Sequence, residues 1–136
     1  ASPIVTGNVV YSGRNGILLT WVSEAIVKNN EIQISQTNPN WFQREGIVLV
    51  GSTGSEVFGN IITGDISSGI ALRNTQVLST GNIIAKNTIF GVYKPDADDA
   101  GITLVSGTTG NIIRHNTIAG VNTPIVNDGT GNIILP

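Results

Sequence analysis

Apolar side chains in this chain recur two residues apart inside short β-branched runs, and Gly, Asn and Thr separate one run from the next. One such run is Gly-Ile-x-Leu: Gly16-Ile17-Leu18-Leu19, Gly46-Ile47-Val48-Leu49, Gly69-Ile70-Ala71-Leu72, Gly101-Ile102-Thr103-Leu104, and a weaker Pro124-Ile125-Val126. A second alternates with it and is clearest in Gly81-Asn82-Ile83-Ile84-Ala85-Lys86-Asn87-Thr88-Ile89 and its near-duplicate from Gly110 to Ile118. These two stretches are identical at seven of nine positions and lie 29 residues apart. The same unit stands at Ala25 to Ile32 and Ser55 to Ile62, with partial copies at Asn8-Val9-Val10 and Asn132-Ile133-Ile134. Period two within short runs predicts strands, and recurrence at a nearly fixed interval predicts about five turns of one two-part repeat.

A strand with one apolar face must bury it. When every repeat carries the same strands in the same order, stacking the repeats into a coil buries those faces in one column, with tiers about 4.8 Å apart. Ile102 and Leu104 then share an inward face, as do Ile113 and Ile118 of neighbouring strands. The recurrent Asn30, Asn60, Asn87 and Asn116 fall at one corner of successive tiers, where stacked amides can hydrogen-bond along the column. Asn also accepts the left-handed backbone of a sharp corner. The expected fold is all-β, a single-stranded parallel β-helix with an Asn ladder, forming one domain over residues 1–136.

The paired patterns Gly-Ile-x-Leu and Asn-x-Ile-x-x-Asn-x-Ile resemble the repeat of right-handed parallel β-helix proteins of the pectin-lyase-like superfamily. The resemblance covers nearly the whole chain and implies a right-handed coil. Relatives in that superfamily include pectate lyases, polygalacturonases, alginate epimerases, fructan-processing enzymes and phage tailspikes, so it implies a polysaccharide setting without fixing an activity. It also implies an extracellular, cell-surface or virion location.

Composition narrows the partners. Only 12% of residues are charged and the net charge is -2, with seven scattered Lys and Arg, so there is no basic stripe for nucleic acid. The absence of Cys removes disulfides and thiolate metal sites, and apolar runs of four or five residues are too short to span a bilayer. The chain starts Ala1-Ser2-Pro3 and stops within a repeat at Ile133-Ile134-Leu135-Pro136. Those ends suggest a fragment or subunit of a larger assembly, with open strand edges that favour a homo-oligomer or stacked copies.

Chemistry is expected where the copies differ. Between the Asn unit and the following Gly-Ile strand lie Gln33 to Glu45, Thr63 to Ser68, Phe90 to Ala100 and Ala119 to Thr123, and all four connections should leave one corner. They carry Trp41, Arg44, Asp65, Tyr93, Lys94, Asp96, Asp98 and Asp99, the candidate ligand-binding set. Aromatic faces beside carboxylates and a few cations suit sugar rings. Loop aromatics and charges can equally cap the core and solvate the surface, and composition does not separate the two readings. Asp98 and Asp99 are the weak catalytic candidates. No cofactor is expected, although Asp96, Asp98 and Asp99 could supply oxygens to Ca²⁺. Asp98-Asp99 is similar to the double Asp of polygalacturonases, but that family's Gly-His-Gly and Arg-Ile-Lys are missing. Tyr93 to Asp99 is faintly similar to the Tyr-Gly-x-Asp-Pro-His segment of alginate epimerases, without Asp-Pro-His. The single histidine, His115, corresponds to Lys86 one unit earlier, and both should point outward.

The leading expectation is therefore a carbohydrate-engaging β-helix module. A structural, self-associating solenoid of a tailspike, fibre or filament is the alternative, and a polysaccharide lyase, hydrolase or epimerase the third reading.

Overall fold

The computed structural model describes residues 2–35, 43–95 and 97–136. Sixteen strands occur among them, distributed over three parallel sheets. The first sheet takes β1 (Ile4–Thr6), β4 (Ile26–Lys28), β7 (Glu56–Phe58), β10 (Ile83–Ala85), β13 (Ile112–Arg114) and β16 (Ile133–Ile134). The second takes β2 (Val9–Ser12), β5 (Glu31–Ile34), β8 (Ile61–Gly64), β11 (Thr88–Gly91) and β14 (Thr117–Ala119). The third takes β3 (Asn15–Thr20), β6 (Glu45–Val50), β9 (Ser68–Arg73), β12 (Ala100–Leu104) and β15 (Thr123–Asn127). Each of five tiers gives one strand to every sheet, β16 adds a sixth strand to the first sheet, and each strand pairs with its equivalent in the next tier. The expected β-solenoid of about five coils is the observed fold.

Register follows from the repeat. Val27, Val57, Ile84 and Ile113 pair along the first sheet, Ile32, Ile62, Ile89 and Ile118 along the second, and Leu49, Leu72 and Leu104 mark the third. All but Ile118 are fully or almost fully buried, and Ile118 packs against them. One aliphatic column therefore runs through the molecule, as period-two burial of Ile, Val and Leu requires.

Two corner columns turn the chain, and both use a residue at positive φ followed by a ladder residue. Between the first and second sheets stand Gly7-Asn8, Asn29-Asn30, Gly59-Asn60, Lys86-Asn87 and His115-Asn116, whose leading residues have φ between 54° and 68°. Here Nδ2 of each Asn donates to Oδ1 of the Asn in the next tier at 2.9–3.0 Å, from Asn8 through to Asn116. A second proton of Asn30, Asn60, Asn87 and Asn116 goes back to a strand carbonyl, of Val5, Val27, Val57 and Ile84 respectively. The ladder read from the sequence is thus present and extends one residue further, to Asn8.

A second ladder precedes the first sheet and follows Glu24, Gly54, Gly81, Gly110 and Gly131, all at positive φ. Asn82 donates to Asn111 and Asn111 to Asn132, while Ser55 substitutes for Asn in its tier and Ala25 can only donate its backbone N–H, to Ser55 Oγ. The threonines of the same turns, whose sequence spacing reads as irregular, fall into register: Thr53, Thr80, Thr109 and Thr130 form successive parallel bridges that begin at Ser23. The long connection from β9 to β10 still keeps Thr80 in this register.

Candidate functional site

Two corners carry ladders, and the third lies between the second and third sheets. The four connections that sequence reasoning sends to one corner do leave it together: β5 to β6, β8 to β9, β11 to β12 and β14 to β15. Trp41 and Asp96 lie outside the described residues.

Arg44, Asp65 and Lys94 come together from three successive tiers. The Arg44 guanidinium donates through Nε to the Asp65 carbonyl at 3.0 Å and through Nη2 to the Asp65 carboxylate at 3.3 Å, and Lys94 Nζ lies 2.5 Å from the same Oδ1. The Arg44 backbone is pinned in turn by Ser67, which accepts from its N–H at 2.8 Å and donates to its carbonyl at 3.2 Å. Asp65 therefore carries two cations and is mostly screened from solvent. This cluster clamps the connections to one another, and Tyr93 stands exposed beside it.

The two adjacent carboxylates separate. Asp98 is exposed and lines a groove, whereas Asp99 is buried. The Asp99 carbonyl accepts the N–H groups of Asn122 and Thr123, both at 3.1 Å, which ties its backbone to the β14–β15 connection. Burial pushes the Asp99 carboxyl above the usual carboxylate range, against the opposing pull of Lys94 and Arg44. Its Oδ2 and the Oδ1 of Asn122 are buried acceptors without a partner.

The groove lies on the outward face of the third sheet, with a volume of about 440 Å³. Glu45, at the first position of β6, is 1% exposed. Arg73, at the last position of β9, reaches back to it, pairing through Nη2 and donating from Nε to Oε1 at 3.1 Å. The pair spans the face carrying Val48 and Ala71, which are buried although they alternate with core residues. Ser68 and Thr103 share a hydrogen bond between hydroxyls at 3.0 Å, and Thr123 and Asp98 complete the rim.

Sequence reasoning placed Arg44, Asp65, Lys94, Tyr93 and Asp98 on the correct side of the coil but missed the floor of the groove. Glu45 and Arg73 are 28 residues apart and meet diagonally, a relation that no local pattern encodes. Two of the hydroxyls share a register with the acid, because Glu45, Ser68, Ala100 and Thr123 occupy equivalent strand starts.

A family model described as "Periplasmic copper-binding protein (NosD)" matches residues 2–134. The chain belongs to the NosD family. The family description agrees with the parallel β-helix reading, and its word periplasmic agrees with a location outside the cytoplasm. Comparison with the curated proteins and with the solved structures returns no match. The described residues include no helix long and apolar enough to cross a membrane.

The word copper is harder to reconcile with this NosD chain. Cu(I) selects thiolate and thioether sulfur, and Cu(II) favours imidazole with other nitrogen and oxygen ligands in a tetragonal array. The sequence has no Cys, no Met and one His, and no group of three or more His, Cys, Asp or Glu converges among the described residues. Asp65 already pairs with Arg44 and Lys94 through Oδ1, and both Glu45 oxygens accept from Arg73, so each carboxylate is already charge-compensated. The donor set does not fit copper.

Proposed function

We propose that this NosD-family chain is a saccharide-engaging β-helix module acting in the periplasm or beyond the cell, with its contact surface on the outward face of the third sheet. The observation that carries this reading is the open groove floored by the Glu45–Arg73 pair and edged by hydroxyls of Ser68, Thr103 and Thr123. Sugars are recognised by hydrogen bonds from fixed polar groups beside apolar surface, and a rigid sheet face holds such groups at constant spacing. Tyr93, exposed at the adjoining corner, supplies an aromatic face.

The charges of the groove favour a neutral glycan. Glu45 and Arg73 compensate one another, which leaves the exposed Asp98 as the uncompensated charge among the lining residues. A uronate-bearing chain would meet that carboxylate and gain no free cation in return. Binding rather than turnover is the reading, because Glu45 is held by Arg73 and the raised-pKa acid, Asp99, is not among the groove-lining residues. A paired-carboxylate mechanism needs its acid and base on the same bond.

The test is retention on immobilised neutral and acidic glycans. Neutral glycans should be retained, Thr103→Arg should weaken retention at least tenfold by filling the groove, and Asp98→Lys should shift preference toward uronates. Equal retention of wild type and Thr103→Arg, or no retention on any glycan, refutes the proposal.

A further inference from the structure

His115 is this chain's one imidazole, and its surroundings decide whether it can serve a metal. It occupies the left-handed corner between β13 and β14, with φ of 55°, and its side chain is exposed. The equivalent corner one tier away is Lys86, with φ of 56°, whose backbone N–H donates to the Arg114 carbonyl at 3.2 Å. Tiers are separated by about 4.8 Å, so the imidazole shares its environment with one ammonium and with the guanidinium of its chain neighbour Arg114. Neither cation makes an ion pair among the described residues. The carboxylate lining the adjoining recess, Glu56, starts β7, two tiers from His115. A divalent ion approaching His115 therefore meets one nitrogen ligand, two positive charges within about one Debye length, about 8 Å at physiological ionic strength, and the backbone oxygen of Pro136, which accepts the His115 N–H at 3.2 Å.

We infer that the described residues of this NosD-family chain hold no copper on their own side chains, and that Lys86 denies His115 a second ligand. The corner column is otherwise suited to chelation. It presents equivalent exposed positions at one tier spacing, and His accepts positive φ more readily than most residues. Replacing Lys86 by His removes a charge and adds a donor at the same position. Two imidazoles from adjacent tiers would then face one ion, a partial tetragonal set that solvent completes.

The test uses the 136-residue chain without an affinity tag, as wild type, His115→Ala and Lys86→His, each verified as folded by circular dichroism. Cu(II) is titrated against a weak chromophoric chelator with electron paramagnetic resonance as the second readout, and Cu(I) is titrated under anaerobic conditions. Wild type and His115→Ala should give superimposable curves, which cancels any contribution of the chain terminus. Lys86→His should take up one equivalent of Cu(II) with nitrogen hyperfine structure. One equivalent bound by wild type and weakened more than tenfold by His115→Ala overturns the inference. A Lys86→His variant that behaves as wild type overturns the assignment to Lys86.

Discussion

At the scale of single residues, the asparagines contribute through positions where both ends of the side chain are used. Asn60 is fully buried; its Oδ1 accepts from the backbone and side chain of Asn30, while Nδ2 donates to Val27 O, Phe58 O and Asn87 Oδ1. Asn60→Ala strands donors of Asn30 and the carbonyl of Val27, and should cost about 3 kcal/mol in urea denaturation. Asn8→Ala removes donors at the exposed start of the same ladder and should cost about 1 kcal/mol. Equal losses at the two sites would show that the ladder is not the source of the stability. Asp99 works in the opposite direction. Its folded-state pKa is raised, so the native chain binds the proton more tightly than the unfolded one, and stability falls as pH rises through the folded value. Asp99→Asn should therefore raise the melting temperature at neutral pH, with the gain shrinking as the pH falls through the folded value toward the unfolded carboxylate value and vanishing below it; a gain independent of pH would refute the assignment. The first ladder was legible because one residue type recurs at one place in the unit. The second was obscured by Ser55 and Ala25, which keep the position and change the donor.

At the scale of the strand, Gly-Ile-x-Leu reads as period two, and the inward Ile and Leu are as expected. What the pattern does not reveal is the kink before them. Pairing runs from Glu45 to Ser68 and then from Ile47 to Ile70, with the glycines between them outside the paired register. A Cβ on Gly46 would lie 2.5 Å from Ile62 Cγ2 and 2.6 Å from the Gly69 carbonyl. Glycine is thus required where the third sheet begins, because the neighbouring tier and the second sheet occupy the space of a side chain. The kink also turns Glu45 out of the core toward Arg73, linking the repeat's glycine to the floor of the groove. Gly46→Ala should cost about 3 kcal/mol through overpacking. Gly81→Ala, whose Cβ would meet nothing nearer than 3.9 Å, carries only the strain of its positive φ, about 1 kcal/mol. Chemical denaturation of the two variants side by side checks the order, and a larger loss at Gly81 would contradict it.

At the scale of the whole molecule, the architecture was legible because each tier repeats the same burial problem, while the groove was not, because its members come from different tiers and meet only after stacking. Stacking also sets how stability is distributed. Strand pairs join each tier only to its neighbours, so the structure is quasi-one-dimensional. β8 and β9 are covered by tiers on both sides and bury Ile62, Ile70 and Leu72 completely. In the outer tiers, by contrast, Ile4, Val9, Ile133 and Ile134 are exposed. Opening an outer tier breaks one set of pairings, whereas opening the third breaks two, so local opening should require progressively more free energy toward the centre. Native-state hydrogen exchange of the 136-residue chain should accordingly show the slowest amides in β8 and β9 and faster exchange through β5 and β11 toward β2 and β14. Asn60→Ala should flatten that gradient, since it weakens the join between the third tier and both neighbours. Uniform protection across all strands would mean that the column unfolds as one unit, with the ladders coupling tiers more strongly than pairwise stacking does.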